Sequence, residues 1–259
     1  MTTYFTLSEA ATRYNKFRPK VHGIIYEWLN QHIGDRKFKN AIDIACGTGD
    51  SLVPLTKISH YALGIDGSEE MLIHAREKGL NVINSQYNQI KTDIKFDLIT
   101  TCMAFHWFET DKAILEFKRI SSENSIWLIY NFTFNGHENS DDFKRFFENY
   151  LVNYPSPKRN KYSSVIPPGT QNLHKIASGN GTIPLHFDVD QLVGYLTTQS
   201  NIEHAIQNGR SYEQIEFKLK SQLQKINNTP KYIYGFTYEL HQYKSAQQGD
   251  APEPASPAR

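Results

Sequence analysis

The sequence predicts an α/β fold, an open, Rossmann-like, mostly parallel sheet with helices on both faces. Three observations predict it. Short apolar runs of strand length alternate with amphipathic segments of helical period. The first clear strand, Ala41-Ile42-Asp43-Ile44-Ala45, breaks into Cys46-Gly47-Thr48-Gly49-Asp50, a tight turn between a buried strand and a helix start. The second strand, Tyr61 to Ile65, ends in Asp66, about 20 positions beyond the glycines. An acid in that place can grip a ribose hydroxyl pair. Gly47 and Gly49 allow positive φ and let a ligand lie against bare backbone, and the helix from Ser51 turns its N–H groups to the same spot.

The elements follow in order. A helical piece from Ser8 to Phe17 is stopped by Pro19. Val21, Ile24, Ile25, Trp28, Leu29 and Ile33 recur at helical spacing, so Lys20 to Ile33 is an amphipathic helix against the sheet. After Asp66, Gly67-Ser68-Glu69-Glu70-Met71-Leu72 reads as a helix start, with Ser68 as N-cap and acids in the first turn. Met71 would face either the ligand or the core. Strands follow at Asn81 to Ser85, Phe96 to Thr101 and Ser125 to Phe134. Beyond them come a helix over Asp141 to Tyr150, a loop over Pro155 to Pro168 and a strand over Thr182 to Phe187. Helices over Asp190 to Gln207 and Tyr212 to Ile226 precede a last strand, Lys231 to Leu240, making seven strands in all. Residues 1–244 form one domain on this reading, with 135–207 as a helical lid. The Ala/Pro-rich tail 245–259 reads as disordered.

A dinucleotide fingerprint needs a third glycine three residues after the second, and Leu52 stands there. The turn instead resembles motif I of the class I S-adenosylmethionine (SAM) dependent methyltransferases, matched by Asp43, Ala45, Gly47 and Gly49. Asp66 matches that family's ribose-binding acid. Cys102-Met103-Ala104-Phe105-His106-Trp107-Phe108, after the fourth strand, resembles motif IV of the type 11 branch. Phe187 to Ser200 resembles the cap segment of the same branch, and Tyr14…Arg18-Pro19 is shared with its trans-aconitate methyltransferase-like, small-molecule group. The resemblance spans roughly residues 4 to 244.

It implies a seven-stranded sheet whose last strand is antiparallel, SAM as cofactor and S-adenosylhomocysteine (SAH) as product. Backbone groups of Ala45, Gly47 and Cys102 would hold the methionine part, with Gly49, Gly67 and Met71 beside them, and Asp66 the ribose. Gln86, Tyr87 and Phe105 would surround adenine. Arg18 would pair with the methionine carboxylate, or else be a surface cation beside Pro19. Tyr14, Trp107, Tyr195 and Ser200, with Tyr4, would shape the acceptor pocket. His106 is the catalytic candidate, a general base for a hydroxyl or amine acceptor. For a carboxylate acceptor it would only line the pocket or donate a hydrogen bond.

Composition narrows the partners. In 259 residues the formal net charge is +1, which gives no basic field for nucleic acid. Lys158-Arg159-Asn160-Lys161 is a short cluster in a Pro/Ser-rich loop. Cys46 and Cys102 sit beside the proposed site without disulfide-like spacing. No apolar run reaches membrane-spanning length, and the expectation is a soluble, cytoplasmic protein. The histidines show no metal-ligand spacing. The expected activity is methyl transfer to a small organic molecule, with O-methylation favoured. An RNA-modifying enzyme, an NAD-type oxidoreductase and a non-catalytic SAM-binding protein are the rivals.

Overall fold

A computed structural model describes residues 8–157, 162–226 and 231–245. Tyr4, the 158–161 cluster and the tail from residue 246 lie outside these. The strands are β1 (Phe38–Ile44), β2 (Ser59–Asp66), β3 (Val82–Asn84), β4 (Phe96–Cys102), β5 (Ser121–His137), β6 (Leu173–His186) and β7 (Lys231–Tyr243). They form one sheet in the order β3-β2-β1-β4-β5-β7-β6. β7 is antiparallel to both its neighbours, β5 and β6, and the other pairings are parallel. The strand order reverses between β1 and β4. That is where an open α/β sheet leaves a crevice beyond its carboxyl ends.

The helices are α1 (Ser8–Phe17), α2 (Ile25–Ile33), α3 (Leu52–Ile58), α4 (Glu69–Glu77), α5 (Thr110–Ile120), α6 (Asp141–Asn153), α7 (Val189–Thr197), α8 (Ser200–Gln207) and α9 (Tyr212–Leu223). Alternation along β5 divides the core between the two sheet faces. Trp127 and Ile129 pack with Phe117, Ile120 and the Phe105 ring on one side. Leu128 and Tyr130 pack with Trp28, Leu196 and Leu219 on the other.

Four elements differ from the sequence reading. The 20–33 helix opens with a single 3-10 turn, His22–Ile24, because Pro19 precedes it, and becomes α-helical at Ile25. The strand expected at 182–187 begins at Leu173 and forms the sheet edge, so the 135–207 region contributes to the sheet as well as covering it. The expected 190–207 helix is two helices. Thr197 and Thr198 turn their hydroxyls back onto the Gly194 and Tyr195 carbonyls (2.8 and 2.6 Å), and Gln199 is extended. Such back-bonding by Thr offers the chain an alternative to the next helical turn. Finally, α5 is a helix that the reading left out, although Ala113, Ile114, Phe117 and Ile120 are its buried stripe.

The β6–β7 edge is held by rings. A Cβ at Gly179 or Gly181 would meet the Tyr238 or Phe236 ring at 2.6 or 2.7 Å, so these glycines let the rings lie across the neighbouring strand. Trp28, 4% exposed, stacks on Tyr238 (4.5 Å between centroids) and packs on Phe236 and Tyr130. Trp28→Ala is expected to cost about 3–5 kcal/mol of unfolding free energy, measured by urea titration, because α2 cannot close over the gap.

Candidate active site

The turn after β1 is built by a buried carboxylate. Asp43 is fully buried, and accepts hydrogen bonds from Ser51 Oγ at 2.5 Å and Thr100 Oγ1 at 2.6 Å. Burial, opposed by these two hydroxyls, pushes its pKa up to about 7. Asp43 thus stands behind the turn, tying β1 to α3 and β4, and does not face a ligand. Ala45 has φ of 62°, Gly47 of 54° and Gly49 of 85°. Left-handed backbone costs a residue with a Cβ about 1–2 kcal/mol, so the turn stores strain at Ala45. A Cβ on Gly47 would find only Met71 Cε at 3.7 Å, whereas one on Gly49 would strike Leu80 Cδ1 at 2.4 Å. Gly47 therefore leaves the turn open, and Gly49 lets it pack on α4. Met71 is buried beneath it.

Asp66, at the tip of β2, accepts from the N–H groups of Gly47 (2.9 Å) and Ser68 (2.8 Å). Burial raises its pKa, and those N–H groups work against the rise. It joins the first βα turn to the second. Gly67 lies under Gln86, whose Nε2 would sit 2.7 Å from a Cβ there.

Two cavities meet at the crevice. The smaller, about 40 Å³, has Ala45, Gly47, Thr48, Asp50, Cys102 and His22 on its wall. Burial drives the Cys102 and Cys46 thiols well above their usual range and lowers His22 to about 4, so all three are neutral near pH 7. The larger, about 640 Å³, brings together His106, Trp107, Tyr195 and Ser200. Tyr14, Arg18, Met103 and Phe132 line both.

Arg18 is 9% exposed. Its guanidinium lies 4.6 Å from the Tyr14 ring centre and 5.5 Å from that of Tyr195. Nη2 donates to the Thr198 carbonyl at 2.9 Å, the group freed where α7 breaks from α8. Nε and Nη1 make no hydrogen bond of good geometry, although the Tyr234 hydroxyl lies close enough to favour the charged form. Beside it, Asp50 receives Lys20 Nζ and Lys78 Nζ, the latter at 2.7 Å, which fastens the segment after Pro19 to the glycine turn. Asp50 is held below the usual carboxylate range by these lysines, although burial pushes the other way.

Two residues assigned to the adenine surround lie elsewhere. Phe105 is 1% exposed, packed edge-on against Phe108 and Phe117 in the core. Tyr87 is stacked on Phe108 at 4.3 Å, and its hydroxyl accepts from the Glu109 N–H at 2.9 Å. Both rings support the 102–108 segment. Conversely, sequence reasoning passed over Met103, Phe132, His22, Tyr234 and Gln199, all on a cavity wall. Phe132 carries a signal, since it stands two residues past Tyr130 on the same face of β5. Met103 (φ 52°) carries none, because its left-handed backbone is a tertiary effect.

A methyltransferase-domain family matches residues 41–124, from β1 into the start of β5. A Dictyostelium discoideum protein that bears a methyltransferase name is 27% identical over 208 residues, covering 76% of this chain and 77% of that one. Among solved structures, one from Anaeromyxobacter dehalogenans, described as a type II methyltransferase, superposes with a TM-score of 0.66. It is 18% identical and covers 88% of this chain and 98% of its own. A phosphoethanolamine N-methyltransferase of Haemonchus contortus, solved with SAH, shares the fold at a TM-score of 0.50 and 14% identity, over 94% of this chain and 60% of that one. Residues 41–124 are a methyltransferase domain, and the chain is a SAM-dependent methyltransferase with a Rossmann-like sheet. SAM is its methyl donor. Among the described residues no helix is long and apolar enough to cross a membrane.

The residues present fit the donor. Arg18 offers buried guanidinium donors, and the Gly47 side of the turn is open. The space itself is narrow, about 40 Å³, with Arg18 and Pro19 forming part of its wall. A separate outcome follows from Asp43. Its carboxyl binds a proton more readily folded than unfolded, so the stability it contributes is full below about pH 4 and is lost as pH rises through about 7. The unfolding free energy is expected to fall between pH 5 and pH 8, and Asp43→Asn is expected to flatten that fall, as read by denaturant titration at both pH values.

Proposed function

We propose that the methyl acceptor is a small organic molecule, methylated on oxygen at a carboxylate or hydroxyl. The observation that carries this reading is the larger cavity. About 640 Å³ suits a small molecule. Its wall is largely aromatic, and Arg18 is its one permanently charged side chain among the described residues. With no carboxylate on that wall, a cationic acceptor would lose its hydration without gaining a counter-charge. An anionic or neutral oxygen acceptor meets Arg18 and His106 instead. A net charge of +1 likewise supports a partner other than RNA.

When bound, SAM supplies a methyl group already activated by its sulfonium. What this chain must add is alignment, which can be worth about 7–11 kcal/mol of barrier. In this reading Arg18 holds the methionine carboxylate through the donors that Thr198 leaves free. The backbone of Ala45, Gly47 and Cys102 lies along the methionine chain, Asp66 turns to the ribose, and Gln86 stands at the adenine side. His106 takes the proton from a hydroxyl acceptor, or donates a hydrogen bond to a carboxylate. Tyr14, Trp107, Tyr195 and Ser200 shape the rest of the acceptor site.

Calorimetric titration with SAM, SAH and NAD⁺ tests the donor site. Binding of the two sulfur nucleosides alone is expected, with Asp66→Ala reducing both affinities by about 10- to 100-fold, the loss of a charge-assisted pair of hydrogen bonds. Binding of NAD⁺ alone would sink the assignment. On the acceptor side, kcat/KM for a phenol is expected to fall on the acid side, where a general base carries a proton. That limb should disappear in His106→Gln. A carboxylate acceptor is expected to show no such limb, and radiolabelled methyl uptake from SAM measures both.

A further inference from the structure

Four side chains, Tyr14, Arg18, Met103 and Phe132, lie on the walls of both cavities, and no other described residue does so. They therefore frame the passage between the donor and acceptor sides. Arg18, with the Tyr14 ring it covers, and Phe132 are fixed by their surroundings. Arg18 is held by the Thr198 carbonyl and the Tyr14 ring. Phe132 is buried and stacked parallel on Tyr234 at 5.2 Å. Met103 is the exception, a long, unbranched and half-buried side chain on backbone with φ of 52°. Its N–H donates to the Tyr130 carbonyl at 2.9 Å, which fixes its Cα at the end of β4. Its Sδ lies 4.0 Å from the Tyr234 hydroxyl.

Resting on the reading just proposed, we infer that Met103 is a positioning residue that sets the width of the passage through which the methyl group is transferred. The left-handed backbone carries the side chain to the boundary between the cavities. A thioether suits that place. It is soft and polarisable, packs against a sulfonium methyl and ring faces, and brings no N–H or O–H donor that could compete with the acceptor. Its volume excludes water from the passage and limits how far the acceptor oxygen can stand from the donor carbon. A residue at this boundary acts on the one part of SAM that SAH lacks, the methyl group with its positive charge. A residue that only supports the fold acts on both ligands alike.

The test is titration calorimetry with SAM and with SAH on the unmutated protein, Met103→Gly and Met103→Leu. Glycine keeps the positive φ and removes the side chain, whereas leucine restores most of the volume. In Met103→Gly, SAH affinity is expected to hold while SAM affinity falls about tenfold, which corresponds to about 1.4 kcal/mol. Met103→Leu is expected to recover most of the SAM affinity. For any acid or phenol methylated by the unmutated protein, kcat in Met103→Gly is expected to fall about 100-fold, the scale of a small misalignment. Equal loss of SAM and SAH affinity, no loss of either, or a leucine variant no better than glycine would each overturn the proposal. An unmutated protein that binds neither nucleoside refutes the methyltransferase reading itself, and does so before any variant is made.

Discussion

The active-site crevice depends on one buried carboxylate. Asp43 leaves water altogether, which costs an ionised carboxylate several kcal/mol. The hydroxyls of Ser51 and Thr100 return about 1.5–3 kcal/mol each when the acceptor is charged. That the pKa still rises to about 7 shows that burial wins over the two hydrogen bonds. What the arrangement gains is geometry. One side chain joins β1, the first residue before α3, and β4, the three elements that meet where the strand order reverses. The left-handed turn at Ala45 and Gly47 is held open from behind, so the ligand side needs no side chain of its own.

A second node closes the crevice from the opposite side. Arg18 follows α1 and reaches the break between α7 and α8, while Arg13, one turn earlier, meets the buried Glu203 of α8 at 2.5 Å. Phe17 lies where a Cβ on Gly194 of α7 would be 2.3 Å from its ring. These contacts bind the N-terminal helix to the 189–207 segment as one cover. Lys20 on Asp50 then fastens that cover to the glycine turn. The last link is exposed and worth at most about 1 kcal/mol. It is therefore the weakest of the links that hold the cover.

How much of this was legible in the sequence follows from how local each signal is. Strand alternation, the glycine turn, the Ser68 cap and Asp66 are written within a few residues, and each stands where the reading put it. The antiparallel last strand came from the resemblance and is present. The break at 198–199 was missed because periodicity runs through it, and the two threonines act only through their hydroxyls. α5 lies outside the sequence reading, although its buried stripe of Ala113, Ile114, Phe117 and Ile120 is written at helical spacing. The adenine-side assignments of Phe105 and Tyr87 went astray for a physical reason. A ring beside a ligand and a ring in the core have the same local pattern, and only Phe108 and Phe117 decide between them. Asp43 belongs to the motif by resemblance, yet its role behind the turn needs Thr100, 57 positions away.

The division of labour between the two cavities follows from charge. Around the smaller one, each anion already has its partners. Asp50 is neutralised by two lysines, Asp66 is satisfied by backbone N–H groups, and His22 and both thiols are neutral near pH 7. Around the larger one, rings dominate and acids are absent among the described residues. Arg18 is shared, so one guanidinium faces both sides of the passage with two donor atoms still to use. A sulfonium is repelled by that charge, and an oxyanion is drawn to it. In the proposed O-methylation the positive charge on sulfur and the negative charge of an oxyanion acceptor disappear together, so both interactions are lost at once. A site with this balance needs little chemistry from its side chains. On the proposed reading it needs a fixed cation and an apolar passage of the right width.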